Sequence, residues 1–209
     1  MRRFHKQNFK KLCNQLGQSD KELQDIISAY GYPPIWTRPN HFASLIHIIL
    51  EQQVSLASAK AAFIKLEEYV GEISPAAILK LSDEELRNCY FSRQKTIYAR
   101  ELAKAIKKGT LSLEELARKD DEAVREELKK VKGIGDWTVD IYLLFVLQRC
   151  DVFPTGDLAM IKSLKQIKNL PASTGKEKLL EIAEEWKPYR SLATYLLWHH
   201  YLESRKKKN

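Results

Sequence analysis

"LKKVKGIGDWTVDIYLLF", residues 128–145, reads as the end of one helix, a five-residue turn holding two glycines, and the start of an apolar helix. Glycine has no Cβ, so it tolerates positive φ and lets another backbone come close. A turn of this kind before a helix can aim several N–H groups the same way, and the helix adds its positive N-terminal end. Such a corner binds a phosphate without reading base sequence. Lys129, Lys130 and Lys132 put positive charge beside it. The same residues also read as a plain helix–helix turn with a glycine cap, and Gly-x-Gly alone does not separate the two readings.

Outward from this turn the chain reads helical. "SDKE" (19–22) and "SDEE" (82–85) have the spacing of capping boxes, with Ser19 and Ser82 as caps. Asn40 is placed to cap "HFASLIHIILEQQ", Ser55 to cap "LASAKAAFIKLEEYV", and Gly71 to stop the latter. Ser74-Pro75 opens a short helix with proline at its first position. A helix is expected over 136–148, and others around 158–167, 175–186 and 189–203. "GYPPIWTRPN" carries three prolines in ten residues and reads as a linker, and the tail "SRKKKN" (204–209) as frayed. About ten short helices and no convincing alternating strand make the fold class all-α.

Composition narrows the partner. The 209 residues are 44% hydrophobic, enough for a real core, and the net charge of +8 favours a polyanion. No apolar run approaches the ~20 residues of a membrane helix, and the basic start lacks the apolar stretch of a signal peptide. Cys13, Cys89 and Cys150 are far apart, which disfavours a disulfide framework, a zinc site or a four-cysteine cluster and suits a reducing cytoplasm.

Beyond the hairpin, "VFPTGDLAMIKSL" delivers Asp157 from a Pro-Thr-Gly turn to the mouth of a new helix. Alone, Asp157 reads as an ordinary N-cap. Joined to the glycine turn, "LKKVKGIGDWTVD…VFPTGD" resembles the helix-hairpin-helix, Gly/Pro loop and aspartate signature of the DNA base-excision glycosylase superfamily, over about residues 40–202. Members that also cut the backbone carry a lysine two residues after the second hairpin glycine; Trp137 stands there, so no lyase activity is expected. "GIGDWT", "ILEQQVSLASA" (49–59) and "RSLATYLLWHHY" (190–201) are similar to the alkylbase branch, DNA-3-methyladenine glycosylase II.

That resemblance implies two helical lobes with a cleft between them within a single domain, one of about 1–50 plus 155–209 and one of about 51–154 holding the hairpin at 128–145. It implies a monofunctional glycosylase that flips out and hydrolytically excises alkylated purines from double-stranded DNA, acting as a monomer on the nucleoid. Asp157 is the catalytic carboxylate, and Trp198, Trp137, Tyr201 and Trp36 are the base-pocket candidates. Gln52, Gln53, Lys132, Gly133, Ile134, Gly135 and Thr138 are the DNA-binding set. Gln53 aligns with the wedge, where the family often has a bulky apolar residue, and Leu56 is the alternative. No cofactor is implied beyond a monovalent cation at the carbonyls of Lys129, Val131 and Gly133. Asp140 is expected in a structural bond, and adjacent His199 and His200 point apart and cannot share a metal. Two alternatives stand: the same fold acting on deaminated or oxidised bases, and a hairpin module that binds DNA without chemistry.

Overall fold

The computed structural model describes residues 2–206. Among them the secondary structure is helical, apart from an isolated bridge between Arg3 and Arg149. The helices are α1 (Phe9–Ser19), α2 (Lys21–Tyr30), α3 (Phe42–Glu51), α4 (Leu56–Val70), α5 (Pro75–Lys80), α6 (Asp83–Asn88) and α7 (Arg93–Lys107). Then come α8 (Leu113–Arg118), α9 (Asp121–Lys129), α10 (Asp136–Ile141), a π-helical turn (Tyr142–Val146), α11 (Leu158–Ile167), α12 (Lys176–Glu184) and α13 (Arg190–Lys206).

Local chemistry sets most of these limits. Ser55, Ser74, Ser82, Ser92, Ser112 and Asp120 each accept a backbone N–H at their helix N-terminus, and Ser82 with Glu85 completes a capping box. Two expected caps are corrected. Ser19 closes α1, and Asp20 is the N-cap of α2, accepting from Leu23 N–H. His41 stands at the N-cap of α3, because the Asn40 side chain is used elsewhere: it donates to the Leu113 carbonyl and accepts from the Tyr142 hydroxyl, both at 2.7 Å. The tail expected to fray is helical as far as Lys206, and residues 207–209 lie outside the described ones.

The chain forms two compact units. One runs through Thr37 and resumes at Leu143; the other is Arg38–Tyr142. The boundaries expected near 50 and 154 move because α3 packs against α4 and α7, on the hairpin side, while the chain from Leu143 onward packs with α13. In the first unit α13 is the axle: every residue from Ser191 to His200 is buried, and α1, α2 and α11 pack around it. Phe4 and Phe9 meet Tyr195 there at 5.3 and 5.4 Å between ring centres. In the second unit α3 and α7 supply the core, with α5 and α6 on α7 and α9 beside α10. All three cysteines are buried and outside any disulfide, and burial pushes the Cys13 thiol up to about 12.

Candidate functional site

In the second unit, α9 and α10 are joined by the glycine turn. Gly133 takes φ +94°, the left-handed region, and a Cβ there would lie 2.0 Å from the Tyr98 ring. Both facts require glycine. Gly135, the residue before α10, has φ −102° and ψ −177°, which any residue adopts, and a Cβ on it would meet nothing within 4 Å. Among the described residues no contact therefore calls for glycine at 135, which is exposed, and its space opens outward.

Around the turn, Lys132 is exposed and Ile134 is buried. Lys129 pairs with Asp136 at 2.7 Å, so this aspartate's charge is locally offset. Asp140 is buried and held by Arg125 at 2.5 Å, the structural bond expected of it.

Two members of the DNA-binding set have other engagements. The Gln52 amide donates to the Gly133 carbonyl and to the Thr138 hydroxyl, both at 2.9 Å. Thr138 is only 2% exposed. These side chains bind each other, and Ile134 packs inward, so three of the expected contacts are internal. Gln53 is different: it is exposed and sits at φ +57°, an uncommon conformation for a residue with a side chain. Val54 and Leu56 beside it are exposed apolar side chains.

The first unit carries the carboxylate. The loop after Arg149 is fastened to the start of α13: Arg190 grips Asp151 through two nitrogens at 2.7 and 3.0 Å, and the Ser191 hydroxyl accepts the Val152 N–H at 2.9 Å. The loop turns with the Asp157 N–H on the Pro154 carbonyl. Half-buried Asp157 then caps α11, its Oδ1 accepting from the Met160 N–H at 2.9 Å and from the Trp198 indole N–H at 3.0 Å. Leu158, the next residue, is 83% exposed.

Trp198 belongs to an aromatic cluster with Phe145 at 5.3 Å, Tyr195 at 5.9 Å and Trp36 at 6.2 Å. Trp36 and Phe145 are half-buried, whereas Trp198 is nearly covered. Phe145 was not a candidate from sequence. The continuous α-helix expected over 136–148 ends at Ile141, widens into the π turn and stops at Val146. A π turn advances side chains out of α register, so helical spacing carries no signal for Phe145.

The remaining pocket candidates are Tyr201 and Trp137. Tyr201 is paired with Arg205, whose guanidinium lies 5.2 Å from the ring centre and donates to the hydroxyl. Trp137 is half-buried in the second unit, at the start of α10. His199 faces the Tyr30 carbonyl and His200 the Ser163 hydroxyl, so they do point apart. Among the described residues no group of histidine, cysteine and carboxylate side chains could hold a metal ion, and no helix is long and apolar enough to cross a membrane.

Residues 46–188 match the model of the HhH-GPD superfamily base excision DNA repair protein family. The chain is 30% identical over 188 residues to a putative DNA-3-methyladenine glycosylase, YfjP, of Bacillus subtilis, a match covering 86% of this chain and just under two-thirds (66%) of that protein. It is 29% identical to DNA-3-methyladenine glycosylase 1 of Schizosaccharomyces pombe, over 88% of this chain and 82% of that one. The solved structure of the 3-methyladenine DNA glycosylase Mag1 from the same yeast, in complex with abasic DNA, superposes with a TM-score of 0.84 at 29% identity, covering 90% of this chain and 95% of that one.

Proposed function

The chain belongs to the HhH-GPD superfamily of base excision DNA repair proteins, and on that footing we propose that it is a monofunctional DNA glycosylase excising alkylated purines from duplex DNA. The observation that carries this is Asp157, a half-exposed carboxylate at the end of a riveted loop, fixed through one oxygen by an indole N–H and a helix N-terminus.

The chemistry follows from the lesion. A purine alkylated at N3 or N7 is cationic, so the bond to C1′ breaks with its electron pair passing to the base. The sugar left behind is oxocarbenium-like and is stabilised by a fixed negative charge. Asp157 supplies that charge; water adds to C1′, its proton leaves through the carboxylate, and free base and an abasic site remain. Aromatic faces select a cationic ring, each worth roughly 0.5–2 kcal/mol. Trp36 and Phe145, the half-buried members of the cluster, suit that role, and Trp198 holds the carboxylate. Trp137 carries no amine for a Schiff base, consistent with hydrolysis alone.

The base must leave the stack first, at a cost of a few kcal/mol. The hairpin holds a backbone phosphate through the N–H groups around Gly135, with Lys132 adding charge, and Gln53 fills the gap, with Leu56 alongside. A monovalent cation at the carbonyls of Lys129, Val131 and Gly133 would share the Val131 oxygen with the Ile134 N–H and the Gly133 oxygen with Gln52.

The test is release of free base from methylated duplex, compared with Asp157→Asn. Asparagine caps helices as well as aspartate, so a mere cap leaves both stability and activity unchanged. The catalytic reading expects unchanged stability with excision slowed ~10²-fold or more, the scale of one preorganised electrostatic partner.

A further inference from the structure

We infer that Gln52 is a positioning residue that ties the wedge turn to the phosphate-binding hairpin, so that gripping the strand and filling the gap of the flipped base are mechanically one event. This rests on the roles proposed above for Gln53 and the hairpin. Both N–H groups of the Gln52 amide are spent inside the second unit, on the Gly133 carbonyl and the Thr138 hydroxyl. Those two acceptors flank Gly135, the corner that opens outward. The backbone of Gln52 leads directly into Gln53 at φ +57°. One residue therefore links the hairpin corner to the turn that presents the exposed glutamine.

Helix α7 supports the link from behind at two points. Because α3 stops at Glu51, the Leu50 carbonyl has no partner of its own helix, and Lys95 Nζ donates to it at 2.6 Å. Nearly one helical turn later, on the same face of α7, Tyr98 sets its ring against Gly133, where a Cβ would intrude. Lys95 thus fixes the end of the helix that leads into the wedge, and Tyr98 fixes the hairpin. Burial lowers the pKa of Lys95 below the ordinary lysine value, as expected for a cation drawn in to meet that carbonyl. A glutamine meant to touch DNA would keep its donors outward; this one has both committed to neighbours that themselves frame the hairpin.

The experiment compares duplex with single-stranded methylated DNA, since a single strand needs no wedge. Gln52→Glu keeps the shape and removes both donors. Thr138→Val removes the acceptor hydroxyl, and Thr138→Ser retains it. Flipping is followed separately by the fluorescence of 2-aminopurine beside the lesion, which needs no bond cleavage, and thermal melting reports folding. Gln52→Glu is expected to lower duplex excision and the fluorescence rise by ~10-fold, with single-strand excision within about twofold; Thr138→Val falls between, and Thr138→Ser matches the parent. Adding Gln53→Ala to Gln52→Glu then changes little. Equal losses on duplex and single strand, or losses at 52 and 53 that multiply, overturn the inference. If the parent protein releases no base at all, the proposed function fails, and the fluorescence series still decides the role of Gln52.

Discussion

The two hairpin glycines separate structure from function at the scale of one atom. An added methyl at Gly133 must enter the Tyr98 ring and take a left-handed backbone, so Gly133→Ala is expected to cost about 2–3 kcal/mol in a urea titration. Gly135→Ala meets open space at an ordinary backbone angle, so its stability should stay within about 0.5 kcal/mol. Duplex affinity should nonetheless fall at least ~10-fold, because the methyl stands where a phosphate approaches; unchanged affinity would remove the hairpin from the DNA contact. Trp198→Phe makes a parallel test of the carboxylate. It keeps an aromatic ring and deletes the donor at 3.0 Å from Asp157, and is expected to lower kcat ~10-fold with little change in KM. A fall confined to KM would assign Trp198 to base binding instead. The left-handed turn at Gly133 and the helix cap at Asp157 were legible in the sequence because both rest on residue type and local position. The engagement of Gln52 was not, since its partners are about eighty residues away.

At the scale of elements, helix limits set by capping side chains were readable at Ser55, Ser74 and Ser82, where the cap acts within its own turn, and were off by one residue at α2, which Asp20 caps in place of Ser19. They failed at Asn40, whose amide is drawn to Leu113 and Tyr142, and at the helix after the hairpin, which widens into a π turn. A backbone hydrogen-bond register of this kind has no side-chain signature. The fastening of the loop that leads to Asp157 onto α13 belongs to this scale too. Arg190 holds Asp151 as a planar two-pronged fork, which lysine cannot reproduce. Arg190→Lys is therefore expected to lower stability by about 1 kcal/mol, a melting shift of roughly 2–4 °C for a chain of this size, and to slow excision more than it weakens DNA binding. A variant that melts earlier but turns over at the parent rate would show that the loop keeps Asp157 in place without this clamp.

For the whole molecule, the division into units was visible only in outline. The first unit joins residues before Thr37 to residues after Leu143, and pairings across so long a separation leave no local pattern. Asp20 is one such pairing: its carboxylate accepts from Lys168 at 2.8 Å and from the Trp186 indole at 2.7 Å while capping α2. Burial pushes this carboxyl upward, but the bonds from Lys168, Trp186 and Leu23 outweigh it, and its pKa lies below the ordinary 3.8. The sign of the linkage follows: above 3.8 the carboxylate is charged in both states and its stabilisation is complete, whereas below 3.8 the unfolded chain takes up a proton first and the stabilisation drains away. His200, lowered by burial, and His47, lowered by burial and by the Arg38 charge, start the decline earlier, since the unfolded chain protonates them from 6.5 downward. Urea midpoints should thus be highest between pH 6.5 and 9.0, above which the unfolded Cys13 thiol loses its proton first, and should fall in one step below 6.5 and in a second below 3.8. Asp20→Asn should be less stable than the parent at neutral pH and should have a shallower second step, since an amide has no proton to take up, with Glu85 and Glu101, also held below the ordinary 4.5, supplying what acid slope remains. A variant that keeps the parent's full acid slope would place the acid sensitivity at other carboxylates and deprive the Asp20 network of its part in joining the two segments.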